Sequence, residues 1–363
     1  MIRLIHAADL HLDSPMTTLP DDKSAQRRQE LSALPEKLRS LAETEGAQLV
    51  LLSGDITDTP NPSRQTAEAL FRALKALSVP VFIAPGNHDF YRRGGLWDYI
   101  GQLRNVHIFT EPRLECREIE ELGVRVWGAG YRDSVCPPLL ESFSCEDGGE
   151  WLDLLCLHAQ LTRSASPYCP VTEEQLGMSG IAYAALGHVH SFSGEHTVGD
   201  CTYAWPGCAA GTGFDECGDK GVIVADVGER RRSVRFVPLG ERRFLTLEAD
   251  ATLDAFSAVC EALPEGSERD ICRVTFTGER ENALDLNLIR AQLAPRFFHL
   301  ELRDETVRRR DLWEGCGENS LRGLFLQNMK ERLAAAEGEE ERETLLLAVR
   351  YGLSALEGGE EPC

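Results

Sequence analysis

Pro85-Gly86-Asn87-His88-Asp89 follows directly on an apolar run, Val79-Pro80-Val81-Phe82-Ile83-Ala84. The run reads as a buried strand and the pentapeptide as the turn that leaves it. Gly86 permits a sharp turn. Asn87 offers a neutral oxygen ligand, and His88 an imidazole that can move a proton near neutral pH. Alone, such a pentapeptide is compatible with a plain polar turn. Four more apolar runs end in the same way, however. Leu4-Ile5-His6-Ala7-Ala8 leads into Asp9-Leu10-His11, and Leu49-Val50-Leu51-Leu52 into Ser53-Gly54-Asp55. Residues 152–157 lead into His158, and Tyr183-Ala184-Ala185-Leu186 into Gly187-His188-Val189-His190. Open α/β sheets gather ligands beyond the carboxyl ends of their strands. Five strand ends bearing Asp, Asn or His therefore predict one cluster of oxygen and nitrogen donors at one sheet edge.

The predicted donors are Asp9, His11, Asp55, Asn87, His158, His188 and His190. Two carboxylates, one amide and four imidazoles exceed what one ion takes. With no cysteine among them, the set suits borderline-to-hard divalent ions such as manganese, iron or zinc. Two ions about 3.5–4 Å apart, bridged by a carboxylate, account for the surplus; Asp55, after Gly54, is the natural bridge. Such a pair makes water nucleophilic at neutral pH and polarises a phosphoryl group for in-line attack. His88, beside a ligand but not needed as one, is the candidate to act on the leaving oxygen. Asp58 or Asp13 is placed to fix its ring or to orient a metal-bound histidine, against the simpler reading of both as turn-forming or capping aspartates. His6, His107, His196 and His299 fall outside the pattern and read as structural or surface histidines.

Around these motifs, strands at 2–8, 49–53 and 79–84 alternate with a helix at 24–46 and another starting near Ser63. Leu31, Leu34, Leu38 and Leu41 give the first its apolar face, with Gly46 as C-cap. That is the β-α-β-α-β order of a parallel sheet. Segments 114–119 with 124–129, 195–198 with 202–205, and 222–227 with 233–237 read as hairpins. A parallel first half and an antiparallel second half predict an α/β fold of two packed mixed β-sheets flanked by helices. The predicted domains are a catalytic domain over 1–240, a small α+β capping domain over 241–307 and a C-terminal helical tail over 308–363. In the tail, Leu326, Met329 and Leu333 form one apolar stripe, and Leu346, Val349, Leu353 and Leu356 another. They make either a hairpin packed on its own domain or a docking arm for a partner helix.

Bulk properties narrow the class. A chain of 363 residues with 42% hydrophobic and 27% charged residues can bury more than one core. No apolar run approaches the ~20 residues of a membrane span, and the amino terminus is too soon polar for a signal peptide; no membrane role and a cytoplasmic location are expected. The 12 cysteines include no CxxC pair, which argues against a zinc ribbon and for reduced thiols. A net charge of −21 counts against a strong autonomous grip on DNA, although bound cations or a partner can supply positive charge. Arg27-Arg28, the arginines at 230–232 and those at 308–310 read as solvated faces, whereas Arg92-Arg93 lies beside the proposed site.

Asp9-x-His11, Gly54-Asp55, Gly86-Asn87-His88-Asp89, His158 and Gly187-His188-x-His190 resemble, in order, the five signature blocks of the calcineurin-like metallophosphoesterases, over about residues 1–240. The run from Ala8 to Pro15 is similar to DNA repair exonucleases of the SbcD type, especially the YhaO-like branch. Residues 203–207 through Lys220-Gly221 resemble that family's Pro-Gly loop. The resemblance implies a four-layer sandwich and a manganese-dependent nuclease acting on DNA. Asp9, His11, Asp55 and His190 would hold one cation; Asp55, Asn87, His158 and His188 the other; His88 would act on the leaving group. It also implies an SbcC-like or AAA-type coiled-coil ATPase as partner, with the tail as docking arm, and leaves a homodimer open. Asp58 is a departure: the archetypal break-repair nucleases carry a substrate-positioning histidine there. The alternative is a small-molecule or cyclic-nucleotide phosphodiesterase, or a phosphatase, on the same metals. A non-catalytic scaffold would be expected to have lost ligands, and none is missing.

Overall fold

Strands Ile2–Ala7, Leu49–Leu52, Val81–Ile83 and Val106–Ile108 lie parallel and adjacent, and all but the last are almost wholly buried. Burial on both faces is what the wholly apolar Leu49–Leu52 and Val81–Ile83 require. In this computed structural model, which describes residues 1–145, 151–229, 231–308 and 312–356, the sheet is completed on its other side by Gly221–Val227 and Arg232–Pro238. Both are antiparallel, and Ile2 stands opposite Val227. The second six-stranded sheet runs His196–Val198, Cys201–Ala204, Tyr183–Gly187, Leu152–His158, Val124–Gly128, Glu115–Ile119. Its four inner strands are parallel; only the two edge strands are antiparallel hairpin partners.

The α/β class and the two helix-flanked mixed sheets are as predicted, but two details differ. The second half of the chain is not simply antiparallel, because its hairpins sit at the edges of a parallel centre. The expected helix at 24–46 is two, Asp21–Ser32 and Leu34–Glu45. Pro35 stands in the first turn of the second, where its missing N–H costs nothing; inside a continuous helix it would break the ladder. Ser63 caps Arg64–Ala76 by accepting from the Thr66 amide, and Gly46, as expected, ends its helix in the left-handed conformation.

Strand alternation sorts the core into layers. Ile5, Ala7, Val50, Leu52, Val81 and Ile83 face the helices, against Leu38, Leu70 and Leu74. Leu4, Leu49, Leu51 and Phe82 face the second sheet, against Val126, Leu154, Cys156 and Ala185. The outer face of that sheet, with Leu155, Leu157 and Leu186, is covered by loops and the short helix Glu173–Met178. His6 lies in the inter-sheet layer, fully buried. Its Nδ1 is 2.9 Å from the Tyr183 hydroxyl and its Nε2 3.2 Å from the Leu186 carbonyl. The ring therefore donates to Leu186 and accepts from Tyr183. Burial lowers its pKa from the ordinary 6.5 to about 3. Between those values the unfolded chain binds a proton that the folded one refuses, so stability is complete above pH 6.5 and falls with acid by about 1.4 kcal/mol per pH unit. Urea titrations at pH 6.5 and 4.5 check this: His6→Gln should lack that part of the wild-type slope, and equal slopes would refute it.

Downstream, Phe244–Asp250, Ile271–Thr277 and His299–Asp304 form a three-stranded sheet in that order. The chain divides into two compact units. One comprises Met1–Leu247, Leu263–Val274 and Arg290–Leu302; the other comprises Glu248–Ala262, Thr275–Ile289 and the chain from Arg303. Within the second, Leu321–Ala335 and Glu339–Leu356 form a helical hairpin that buries Leu326, Met329, Val349 and Leu353 together and leaves Leu321, Leu324, Leu347 and Tyr351 exposed. Of the arginines read as solvated faces, Arg230, Arg309 and Arg310 lie outside the described residues. The cysteines among the described residues are free, and no described helix is long and apolar enough to cross a membrane.

Candidate metal centre

The first three strands of the first sheet and two neighbouring strands of the second end at one edge. Asp9, Asp55, Asn87 and His88 lie on loops just past Ile2–Ala7, Leu49–Leu52 and Val81–Ile83; His158 ends its strand, and His188 follows Tyr183–Gly187. Two of these loops run side by side: the amides of Asp9, His11 and Leu12 donate to the carbonyls of Gly54, Asp55 and Ile56, each at 3.0 Å. Asp9, His11, Asp55 and His188 all take positive φ, between 42° and 96°. Non-glycine residues held there store strain, which recurs at functional sites. Two glycines mark how closely the strand ends meet. A Cβ on Gly86 would lie 2.2 Å from Asp55 Oδ1, and one on Gly187 would lie 1.8 Å from the Ser53 carbonyl.

Three groups of side chains bring donor atoms within 4.8 Å of one another: Asp9, His11 and His190; Asp9, Asp55 and His158; and His11, Asp58 and His88. Hydrogen bonds on the far side of each ring fix which nitrogen carries a lone pair. His11 Nδ1 donates to Asp58 Oδ1 at 2.9 Å, and His190 Nδ1 donates to Glu216. Their Nε2 atoms then face each other as two acceptors 3.2 Å apart. His158 Nδ1 donates to the Ser53 carbonyl at 2.9 Å, so its Nε2 meets two more acceptors, Asn87 Oδ1 at 3.0 Å and Asp55 Oδ2 at 3.3 Å. With the rings neutral, acceptors aimed at acceptors repel unless a cation, a metal ion or a proton, stands among them. The donor set thus fits divalent metal, with nitrogen and oxygen and no sulfur. Because His11 already engages Asp58 through Nδ1, the third group is the outer side of the first.

The site's field is negative, and with no metal bound it draws protons onto these rings instead. Burial, with the Asp55 charge nearby, raises the pKa of Asp9. For Asp55 burial pushes upward too, but the charges of His158 and His11 override it and hold this carboxyl well below the usual range. Burial opposes protonation of His11 and His158, yet Asp58, Asp55 and Asp9 raise the former, and Asp55 and Asp9 the latter, each to about 9. His188, desolvated beside His158, is pushed down to about 4.

Of the predicted residues, Asp9, His11, Asp55, Asn87, His158 and His190 converge through their donor atoms. His188 adjoins them: its amide donates to Asp9, and its ring lies between His158 and Tyr168, at centroid distances of 5.2 and 4.7 Å. The turn at His188 sends its ring and that of His190 to different sides. His88 stands at the exposed rim, edge-on to His11 at 4.9 Å, with Nδ1 3.7 Å from Asp58 Oδ1. Asp58 touches both histidines. Asp13 instead accepts from the Ser63 amide and from Thr66 Oγ1, which makes it an anchor for the helix Arg64–Ala76. Arg92 and Arg93 are exposed, Arg92 over the Phe90 ring.

Three residues escape a reading of the sequence alone. Asp89 is fully buried and takes the amides of Gly86, Ile56 and Thr57, stapling two loops of the site; burial and the Asp55 charge push its pKa up to about 7. Ser53 contributes a backbone carbonyl, which no side-chain pattern announces. Glu216 lies 26 positions beyond the histidine it touches.

The profile of the calcineurin-like phosphoesterases matches residues 2–192. The uncharacterized metallophosphoesterase YhaO of Bacillus subtilis (strain 168) is 31% identical over 240 residues, 62% of this chain and 57% of that one. The DNA double-strand break repair protein Mre11 of Saccharolobus solfataricus is 25% identical over 197 residues, covering 53% and 50%. A component of the SbcCD nuclease of Bacillus subtilis is 25% identical over 123 residues, covering 33% and 30%. The chain spans about half the length of the first two relatives.

Proposed function

The chain belongs to the calcineurin-like phosphoesterases, and on that premise we propose that it is a manganese-dependent phosphodiesterase that hydrolyses DNA ends in repair, beside an SbcC-like or AAA-type coiled-coil ATPase. The observation that carries the hydrolytic part is the convergence of imidazole nitrogens and carboxylate oxygens on common points. Asp9, His11, Asp55 and His190 would hold one cation, and Asp55, Asn87, His158 and His188 the other. Bound divalent ions supply Lewis acidity toward phosphoryl oxygens and a nucleophile from water. The protein's own residues do the rest. Asp55 spans both positions, Asp58 orients His11 and faces His88, and His88 delivers a proton to the leaving oxygen from the open side.

DNA as substrate is supported by the relatives whose names declare break repair and nuclease activity. The tail is proposed as the docking arm because its hairpin keeps Leu321, Leu324, Leu347 and Tyr351 exposed. The proposed division is a catalytic domain over 1–240, a cap over 241–307 and that arm over 308–363. Two observations favour a second reading, a phosphodiesterase for small or cyclic nucleotides: the net charge of −21 and Asp58 in place of the resembling nucleases' histidine. One assay separates them. With Mn²⁺, the first reading expects nucleotides released from single-stranded or duplex DNA ends. Hydrolysis of bis-p-nitrophenyl phosphate with DNA left intact would sink it in favour of the second.

A further inference from the structure

His190 is the least protected histidine among the converging donors. Its side chain is 39% exposed, against 6% for His11 and 0% for His158. A half-exposed imidazole turns freely unless something holds it, and here one loop does so twice. Between the strands Cys201–Ala204 and Gly221–Val227, the chain folds back over His190. The Cys208 amide and Lys220 Nζ both donate to the His190 carbonyl, at 3.2 and 2.9 Å. Glu216, with its side chain 7% exposed, takes the ring's Nδ1–H on Oε1. Its other oxygen is held by the Thr212 amide at 2.7 Å and the Thr212 hydroxyl at 3.0 Å. Thr212 is in turn tied to Thr18 through its carbonyl at 3.0 Å. Both carboxylate oxygens are therefore committed, and the group has little freedom to leave the ring.

We propose that Glu216 is a positioning residue that aims His190 Nε2 at one metal position, and that without it this position alone loses affinity. The inference rests on the two-metal reading. It names a selective consequence that reading does not require. His158 is fixed by burial and by the Ser53 carbonyl, so the position it serves has no need of Glu216. Carboxylates behind metal-bound histidines fix the tautomer and strengthen the donor, and their loss costs about 10–100-fold in metal affinity.

Calorimetric titration of the metal-free full chain with MnCl₂ tests this on wild type, E216A and E216Q. Wild type should take two equivalents. E216A should bind one of them about 10–100-fold more weakly, with the other unchanged. E216Q keeps an acceptor for Nδ1–H but no charge, and should recover part of the loss. The proposal is overturned if E216A binds both equivalents as wild type does, or if both weaken together. Should E216A fail to fold, E216Q decides: one weakened equivalent supports the proposal, and two unchanged ones overturn it. Failure of the wild type to bind two equivalents would instead sink the two-metal reading itself.

Discussion

Replacing His88 with alanine is expected to slow cleavage of a thymidine dinucleotide by about 10²–10⁴-fold, the usual contribution of a positioned proton donor, while both manganese equivalents stay bound. The ring stands at the open rim, 45% exposed, and none of its atoms is needed to complete the two inner donor groups. What His88 gives Asp55 is its backbone amide, 2.9 Å from Oδ1, and alanine keeps that. A leaving deoxyribose oxygen needs a proton, whereas p-nitrophenolate leaves without one. The loss on bis-p-nitrophenyl phosphate should therefore be far smaller. Steady-state kinetics on both esters, with metal content by mass spectrometry, measure the difference. An equal loss on the two esters, or a loss of metal, would show that His88 does not serve the leaving group.

Asp55→Ala is expected to be worse. Activity should fall by more than the ~10⁴-fold limit for a missing proton donor, and manganese content below one equivalent. Asp55 is 2% exposed, and one oxygen lies 3.3 Å from His158 Nε2 and 4.0 Å from His11 Nε2, rings that belong to different donor groups. It is also the charge that most raises the pKa of His158. On the proposed assignment, truncation removes one carboxylate from both positions at once. Retention of two equivalents by the variant would show that Asp55 is not the bridge.

Much of this site was legible because strand ends are punctuated: an apolar run stopping at Asp, Asn or His is visible within ten residues, and five such runs occur. The break before Leu34 was equally local, signalled by Pro35, but the strong leucine spacing on either side masked it. The second sheet was harder. Its parallel neighbours Leu152–His158 and Tyr183–Gly187 are separated by loops, two two-residue strands and one six-residue helix, so no long crossover helix announces the pairing. Asp58 and Asp13 are both aspartates near a turn, and only coordinates distinguish the one that holds His11 from the one that holds a helix start. Glu216 had no local signal, because its partner is remote in the chain and only the return of the loop brings them together.

The placement of Ile2–Ala7 between Leu49–Leu52 and Gly221–Val227 also bears on how the protein is made. On the ribosome, the opening strand gains its first neighbour early, but about 170 residues separate Leu52 from the next one at Gly221. At ~5–20 residues per second, roughly ten to thirty seconds pass before that flank can close. Throughout that interval the nascent chain carries an open, apolar strand edge, the kind that pairs with other chains. Shielding by chaperones during translation is the expected requirement for high yield.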